Sequence, residues 1–262
     1  CVLLIDLMNK LDILSANIGM ANVCSVPLSY IILRGQGIKI QSLVSKECKN
    51  ENYILRELEK KNDDSSYEGA IVLPPIKGMY LEEPVSVLDY ASLYPSSMIA
   101  ENISHDSIVG YKTFHLQKDG SYECVEDKIN YDYYDLDDYN YNQIEYDLFQ
   151  GIGDDKKKIG YKICTFAENK DGSKSVLPRI LQNLLKARKD TRKTMKYKKV
   201  TTKNGEVFSG LYEEGEDNII LKTVEGEKFV IEKNNMESKV DLYNDFEKAV
   251  LDGQQLAYKV TC

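Results

Sequence analysis

The chain has 262 residues, enough for one full core or two small ones. A composition of 42 % hydrophobic and 29 % charged residues, with six prolines and no tryptophan, excludes fibrous, mucin-like and wholly disordered chains. The formal net charge of −8 argues weakly against a nucleic-acid partner. The charges are strongly segregated along the chain, however, so the mean is a poor guide.

No run approaches the roughly eighteen apolar residues of a membrane span, so no membrane association is expected. The opening CVLLIDLMNKLD carries Asp6 inside its apolar stretch and has no basic leader, so it does not read as a signal peptide. Both ends lie inside hydrophobic periodic patterns and read as cut. Six cysteines are scattered with no C-x2-C unit, and only His105 and His115 accompany them. Free thiols in a reducing, intracellular compartment are expected rather than a zinc site.

Leu3, Leu4, Leu7, Leu11, Ile13 and Leu14 recur at helical spacing, which predicts one helix over 2–20, broken or ended near Gly19. Val26-Pro27 closes a connector. The apolar Tyr30–Leu33 is interrupted by Arg34-Gly35-Gln36-Gly37, and residues 52–60 form a short helix with Asn52 as a cap. Ala70–Leu73 is a strand candidate ended by Pro74-Pro75, and Val85–Leu88 is a second, finishing at Asp89. The second half of the following ASLYPSSMIAEN is helical. From Tyr111 to Phe166 short alternating stretches predict antiparallel sheet with long decorated loops. Its acidic, Tyr-rich segment NYDYYDLDDYNYNQIEYD is read as an ordered surface loop.

Pro178 sits just inside the next helix, where its missing N–H costs nothing. Ile180, Leu181, Leu184 and Leu185 set that helix's apolar stripe as far as Tyr197. Its second half is basic: Lys186, Arg188, Lys189, Arg192, Lys193, Lys196, Lys198 and Lys199 are opposed only by Asp190. Residues 200–238 change character to three short strands with Gly-bearing turns, a small β insertion between two helices. The last helix starts near Leu242 or Phe246, its pattern interrupted at Asp252-Gly253.

An aspartate at a strand's carboxyl end, followed by a turn and a helix, can hold a metal while the next backbone N–H groups face anions. Asp89 has that placement, Ser92 is short enough to leave the amides open, and Tyr94 before Pro95 is a ring on constrained backbone. The plainer reading is that Asp89 caps the helix and Tyr94 packs in the core; both remain open at this level. Arg188 and Arg192 lie four apart on one face that Lys196 and Lys199 extend. Guanidinium forks at that spacing suit a polyphosphate, and the last helix adds Lys259. A solvated charged face is the alternative.

DYASLYPSSMIAENI at 89–103 resembles motif A of the family B DNA polymerases, D-x-x-S-L-Y-P-S, with Asp89, Ser92, Leu93, Tyr94, Pro95 and Ser96 at its fixed positions. Four further segments are similar to that family in the family's order: RGQGIK at 34–39, YEGA at 67–70, LPRILQNLLKARKDTRK at 177–193, and DGQQLAYKVT at 252–261. The whole is most like the polymerases of large eukaryotic DNA viruses.

The resemblance implies an α+β chain. Residues 1–60 would be the end of an exonuclease domain and a connector. Residues 61–173 would be a partial palm, an antiparallel sheet with helices. Residues 174–262 would be a helical-hairpin fingers region carrying the 200–238 β insertion. Asp89 and Lys259 would be catalytic, with Asp89 and the Tyr90 carbonyl as metal ligands for two Mg²⁺ ions. Tyr90, Ser92, Leu93, Tyr94, Arg188, Arg192 and Lys259 would bind the incoming deoxynucleoside triphosphate. Arg34, Lys39, Tyr67, Gly69 and Ala70 would touch primer–template DNA, and a processivity factor is a further implied partner. A viral protein would work in the host nucleus or at a cytoplasmic replication site.

Two departures matter. Gln254 stands where the family often has arginine, and the remainder of motif B, motif C and the exonuclease carboxylates are not in the chain. The 262 residues alone are therefore expected to be inactive. The alternative is an inactive polymerase-like protein with a DNA-binding or structural role.

Overall fold

The computed structural model describes residues 2–54, the backbone of 66–67, and residues 72–130, 134–151 and 156–262. Along the chain come α1 (Val2–Lys10), α2 (Ile13–Cys24), α3 (Leu28–Leu33), α4 (Gln36–Asn50), β1 (Ser66–Tyr67), α5 (Leu93–Ala100), β2 (Ile108–Leu116), β3 (Tyr122–Ile129), β4 (Tyr139–Gln150) and β5 (Lys157–Asn169). There follow α6 (Val176–Thr194), β6 (Tyr197–Thr202), β7 (Val207–Glu214), β8 (Asn218–Lys222), β9 (Lys228–Glu232), β10 (Met236–Asp241) and α7 (Asp245–Thr261). The mixed α+β class expected from the sequence is what forms. The chain divides into two compact units, residues 1–53 with 180–262 and residues 54–179.

In the first unit the opening helix is two helices rather than one. Asp12 adopts the left-handed conformation, φ 47°, and breaks the path between α1 and α2. Gly19 neither breaks nor ends a helix, since α2 runs through it. A Cβ built there would sit 3.4 Å from the Gln254 backbone, and one on Gly253 would sit 3.3 Å from the Ala16 Cα. The two glycines let α2 and α7 cross backbone to backbone, and α7 runs unbroken through Asp252-Gly253.

Helix α4 goes beyond the elements expected from the sequence. Gly35 is its N-cap in extended conformation, so the Arg34–Gly37 run opens a helix. The helix ends at Asn52, φ 52°, with the Tyr53 N–H donating to the Cys48 carbonyl at 2.8 Å, the hydrogen-bond signature of a Schellman turn. Asn52 therefore terminates α4; residues 55–60 of the expected helix lie outside the described residues.

The β insertion forms and is larger than three strands. Five antiparallel strands pair in the order β10-β6-β7-β8-β9. Val200, Ile219, Leu221 and Ile231 are its buried centre, with Phe208, Tyr212, Phe229 and Met236 packed around them. Gly205 (φ 81°) and Gly226 (φ 96°) supply the left-handed positions of two of its hairpin turns. The carboxylate of Asp241 on β10 pairs with Lys198 on β6 and, at 2.7 Å, with Lys248 on α7, tying the sheet to the helix after it. The basic run is divided: α6 stops at Thr194 and Lys198 and Lys199 belong to β6, so Lys196 and Lys199 do not extend the Arg188–Arg192 face.

In the second unit a five-stranded antiparallel sheet has the order β1-β4-β5-β2-β3, as the alternation over 111–166 predicts. The second half of the acidic Tyr-rich segment is strand rather than loop: β4 pairs with β5 from Tyr139↔Asn169 to Gln150↔Lys157. Its tyrosines alternate with polar residues, and that period of two outweighs the charge. Gly160 lets β5 approach β2 closely, since a Cβ there would lie 1.9 Å from the Phe114 carbonyl oxygen.

Among the described residues, neither strand candidate before Asp89 forms a ladder. Ala70 and Ile71 lie outside the described residues, and Val85–Leu88 is in no strand and pairs with no described strand, Leu88 being 94 % exposed. β propensity makes a strand only where another backbone takes its N–H and C=O groups.

Candidate functional site

The turn between Asp89 and α5 carries one group of the expected residues. Asp89 and Tyr90 are exposed, residues 91–92 turn, and α5 begins at Leu93. Ser92 is the N-cap in left-handed conformation, φ 54°, and its side chain makes no capping bond. The Leu93 and Tyr94 N–H groups stand in the first turn of the helix, where no intrahelical acceptor exists, and Pro95 has no N–H. Two hydroxyl bonds fix the turn from behind: Ser96 Oγ donates to the Ala91 carbonyl at 3.1 Å and Ser97 Oγ to the Leu93 carbonyl at 3.0 Å. Pro95 is the buried anchor of α5, while Tyr94 next to it is 77 % exposed. Both plainer readings therefore fail. Asp89 is not the cap, and Tyr94 is not core.

Residues 102–107, just past α5, secure the start of α6 within the same unit. Asn102, left-handed and buried, accepts from the Ser175 N–H at 2.9 Å and donates from Nδ2 to the Ala167 carbonyl at 2.7 Å. The Val176 N–H donates to the Asp106 carboxylate at 3.0 Å and the Leu177 N–H to Ser104 Oγ at 3.2 Å. Three amides at the beginning of α6 are thus satisfied by side chains far away in the sequence. Sequence reading missed this cap because the capping residues are not adjacent to the helix; the polar run Asn102–Ser107 was its only trace.

In the other unit, α6 and α7 carry a separate group of the expected residues. Ile180, Leu181 and Leu184 face inward, as the stripe predicts; Arg188 is half-buried and Arg192 exposed. Arg188 Nε donates to Gln255 Oε1 at 3.3 Å, and Gln255 Nε2 donates to Asp252 Oδ1 at 3.1 Å. Burial pushes the Cys262 thiol up, with the charge of Arg188 opposing. Lys259 is exposed in the last turn of α7, which starts with a capping box of Asn244 and Glu247. Gln254, the departure from the family pattern, donates to the Tyr258 hydroxyl at 3.0 Å and lies at the crossing with α2.

The residues expected to touch DNA divide three ways. Arg34 is exposed at the end of α3, its guanidinium 5.5 Å from the Tyr30 ring centroid. Lys39, by contrast, is 7 % exposed within α4, which leaves little of it on the surface for a phosphate. Tyr67 is placed by backbone only, opposite Leu148 in the β1–β4 ladder, and Gly69 and Ala70 lie outside the described residues.

The donor set around Asp89, a carboxylate and the Tyr90 carbonyl, is hard oxygen and suits Mg²⁺. It is one carboxylate short of a two-ion site. Among the described residues no group of three His, Cys, Asp or Glu side chains is placed to hold a metal. Cys24, Cys48, Cys124, Cys164 and Cys262 are free thiols, and no helix among the described residues is long and apolar enough to cross a membrane.

The family model described as DNA polymerase family B matches residues 26–209, which include the Asp89 turn and, on α6, Arg188 and Arg192. The chain is 48 % identical over its whole length to a DNA polymerase of Pyramimonas orientalis virus, covering 20 % of that protein. It is 43 % identical to a DNA polymerase of Phaeocystis pouchetii virus over 74 % of the chain and 19 % of the relative. A DNA polymerase delta catalytic subunit of Plasmodium falciparum is 34 % identical over 76 % of the chain and 15 % of its own length. The chain thus spans about a fifth or less of the curated relatives it matches.

Proposed function

The chain belongs to DNA polymerase family B, and from that premise we propose that it supplies the motif A turn and the triphosphate-binding helices of an enzyme that adds deoxynucleotides to a primer 3′-hydroxyl in viral DNA replication. The observation that carries the reading is the Asp89–Pro95 turn. It offers an uncapped carboxylate, free helix-start amides and an exposed tyrosine on a backbone held by Pro95 and two serine hydroxyls.

In this reading the Asp89 carboxylate and the Tyr90 carbonyl hold metal. Two Mg²⁺ ions, when bound, lower the pKa of the attacking hydroxyl and neutralise the triphosphate and the leaving pyrophosphate. The amides of Ser92 and Leu93 donate to the distal phosphates, as helix starts do. Arg188 and Arg192 bring paired donors to the phosphate oxygens, Lys259 adds a point charge and the role of catalytic cation, and their approach excludes water. The Tyr94 ring lies under the sugar and rejects a 2′-hydroxyl by contact. Arg34, Tyr67 and the backbone of Gly69 and Ala70 touch template phosphates; Lys39 would do so only if α4 exposed it.

A two-ion reaction needs a second carboxylate, so the 262-residue chain by itself does not extend a primer. The test uses the complete polymerase containing this chain. Asp89→Ala should abolish Mg²⁺-dependent primer extension while primer–template affinity is kept. Extension by the Asp89→Ala enzyme, or by the purified chain alone, would overturn the assignment. A complete protein inactive even with Asp89 in place would instead point to the polymerase-like binding or structural role.

A further inference from the structure

We propose that Gln255, oriented by Asp252, is a positioning residue that sets the plane of the Arg188 guanidinium for the triphosphate. The inference rests on the reading of Arg188 as a triphosphate ligand.

The geometry is a short relay. Arg188 Nε donates to Gln255 Oε1 at 3.3 Å, and Gln255 Nε2 donates to Asp252 Oδ1 at 3.1 Å. Its polarity is fixed by chemistry. Arginine can only donate and the aspartate carboxylate can only accept, so the amide must turn its oxygen to Arg188 and its nitrogen to Asp252. Using Nε for this contact leaves the two terminal nitrogens of the guanidinium, the side of the fork that grips two oxygens of one phosphate. A residue bonded to a terminal nitrogen would compete with the ligand; one bonded to Nε orients without competing.

The base of the relay is firm. Asp252 and Gln255 flank Gly253, where α7 meets α2 backbone to backbone, 3.3 Å from a Cβ position to the Ala16 Cα. Thr261 Oγ1, near the end of α7, lies 3.5 Å from Cys24 Sγ on α2. The turn of α7 carrying the relay is therefore pinned on its far side by a helix with no room to shift. Arg188 is half-buried, so its stem is fixed by packing and its head by Gln255.

An arginine oriented before the ligand arrives loses less side-chain freedom on binding. Removing the relay should raise the KM for deoxynucleoside triphosphate by roughly 3- to 10-fold, with kcat changed by less than about 2-fold. The experiment is steady-state and single-nucleotide incorporation by the complete polymerase. Gln255→Met keeps the volume and removes both hydrogen bonds. In an Arg188→Ala background, Gln255→Met should add nothing, because there is no guanidinium left to orient. The paired change Asp252→Asn with Gln255→Glu reverses the donor and acceptor between the two side chains and keeps an acceptor for Arg188. It should bring KM back toward the parent value.

Additive effects of Gln255→Met and Arg188→Ala, or a fall in kcat at constant KM, would overturn the relay. If Arg188→Ala raises KM and Gln255→Met does not, the relay alone fails. If Arg188→Ala leaves KM unchanged, the triphosphate reading of Arg188 fails and the relay with it.

Discussion

Tyr94→Ala separates function from fold more cleanly than any other change at the site. The ring is 77 % exposed. A tyrosine contributes 150–250 Å² when fully buried, so about 50 Å² of contact is lost, or about 1 kcal/mol as an upper bound. Alanine returns a few tenths of a kcal/mol through its better helix propensity, and stability should change by less than about 1 kcal/mol. The consequence for sugar selection is larger. A contact that rejects one hydroxyl supplies about 1–3 kcal/mol, so the preference of deoxynucleotide over ribonucleotide should fall by roughly 10- to 200-fold. The assay is the ratio of kcat/KM for the two sugars in single-nucleotide incorporation by the complete polymerase, with Tyr94→Phe, which keeps the ring, as the control. A ratio unchanged in Tyr94→Ala, with normal deoxynucleotide incorporation, would refute the placement of the ring under the sugar.

Gly160→Ala should cost about 2 kcal/mol or more by denaturant unfolding, because its methyl group would sit 1.9 Å from the Phe114 carbonyl oxygen and the two strands would have to part; a near-neutral result would mean that β5 and β2 are not this close. Leu221→Ala, at the fully buried centre of the insertion, should cost about 2–5 kcal/mol and speed amide exchange throughout β6–β10, and exchange confined to β8 would contradict a shared core. Hydrogen bonds from Lys198 and Lys248 hold the Asp241 carboxyl at about 2, below its ordinary 3.8. A carboxyl depressed on folding stabilises fully above its unfolded value, so this contribution should be complete above about pH 4 and fade as pH falls through about 2. A carboxyl titration midpoint near 3.8 in the folded protein would rule out the pairing.

Much of this architecture can be read from local pattern, and what cannot has a common cause. The period of two over 111–166, the apolar stripe of α6 and the composition change at 200 each report the element that forms, since each depends on side chains a few residues apart. The Asp89–Pro95 turn is legible for the same reason: fixed residues at nearly every position from Asp89 to Ser96 define it. Glycine and proline are the usual marks of a helix end, yet the chain stops α1, α2, α4 and α5 with Asp12, Ser25, Asn52 and Asn102 in the left-handed conformation. Asparagine, aspartate and serine adopt it often enough to serve as stops and too seldom to announce one. Gly19 and Gly253 look like interruptions in the sequence and instead admit another backbone, which no local pattern can reveal. The same holds for the α6 cap, built from Asn102, Ser104 and Asp106, and for the relay from Asp252 to Arg188. Val85–Leu88 marks the opposite error, a strong strand pattern that pairs with no described residue.

Metal binding by the Asp89 carboxylate during nucleotide transfer is tested most directly by Asp89→Cys in the complete polymerase, because a thiolate prefers softer cations than Mg²⁺. Primer extension should be lost in Mg²⁺ and partly restored when Mn²⁺ or Cd²⁺ replaces it, with Asp89→Ala unresponsive to either. Undiminished extension in Mg²⁺ by Asp89→Cys, or equal restoration of Asp89→Ala and Asp89→Cys by the softer ions, would show that this carboxylate is not a metal ligand.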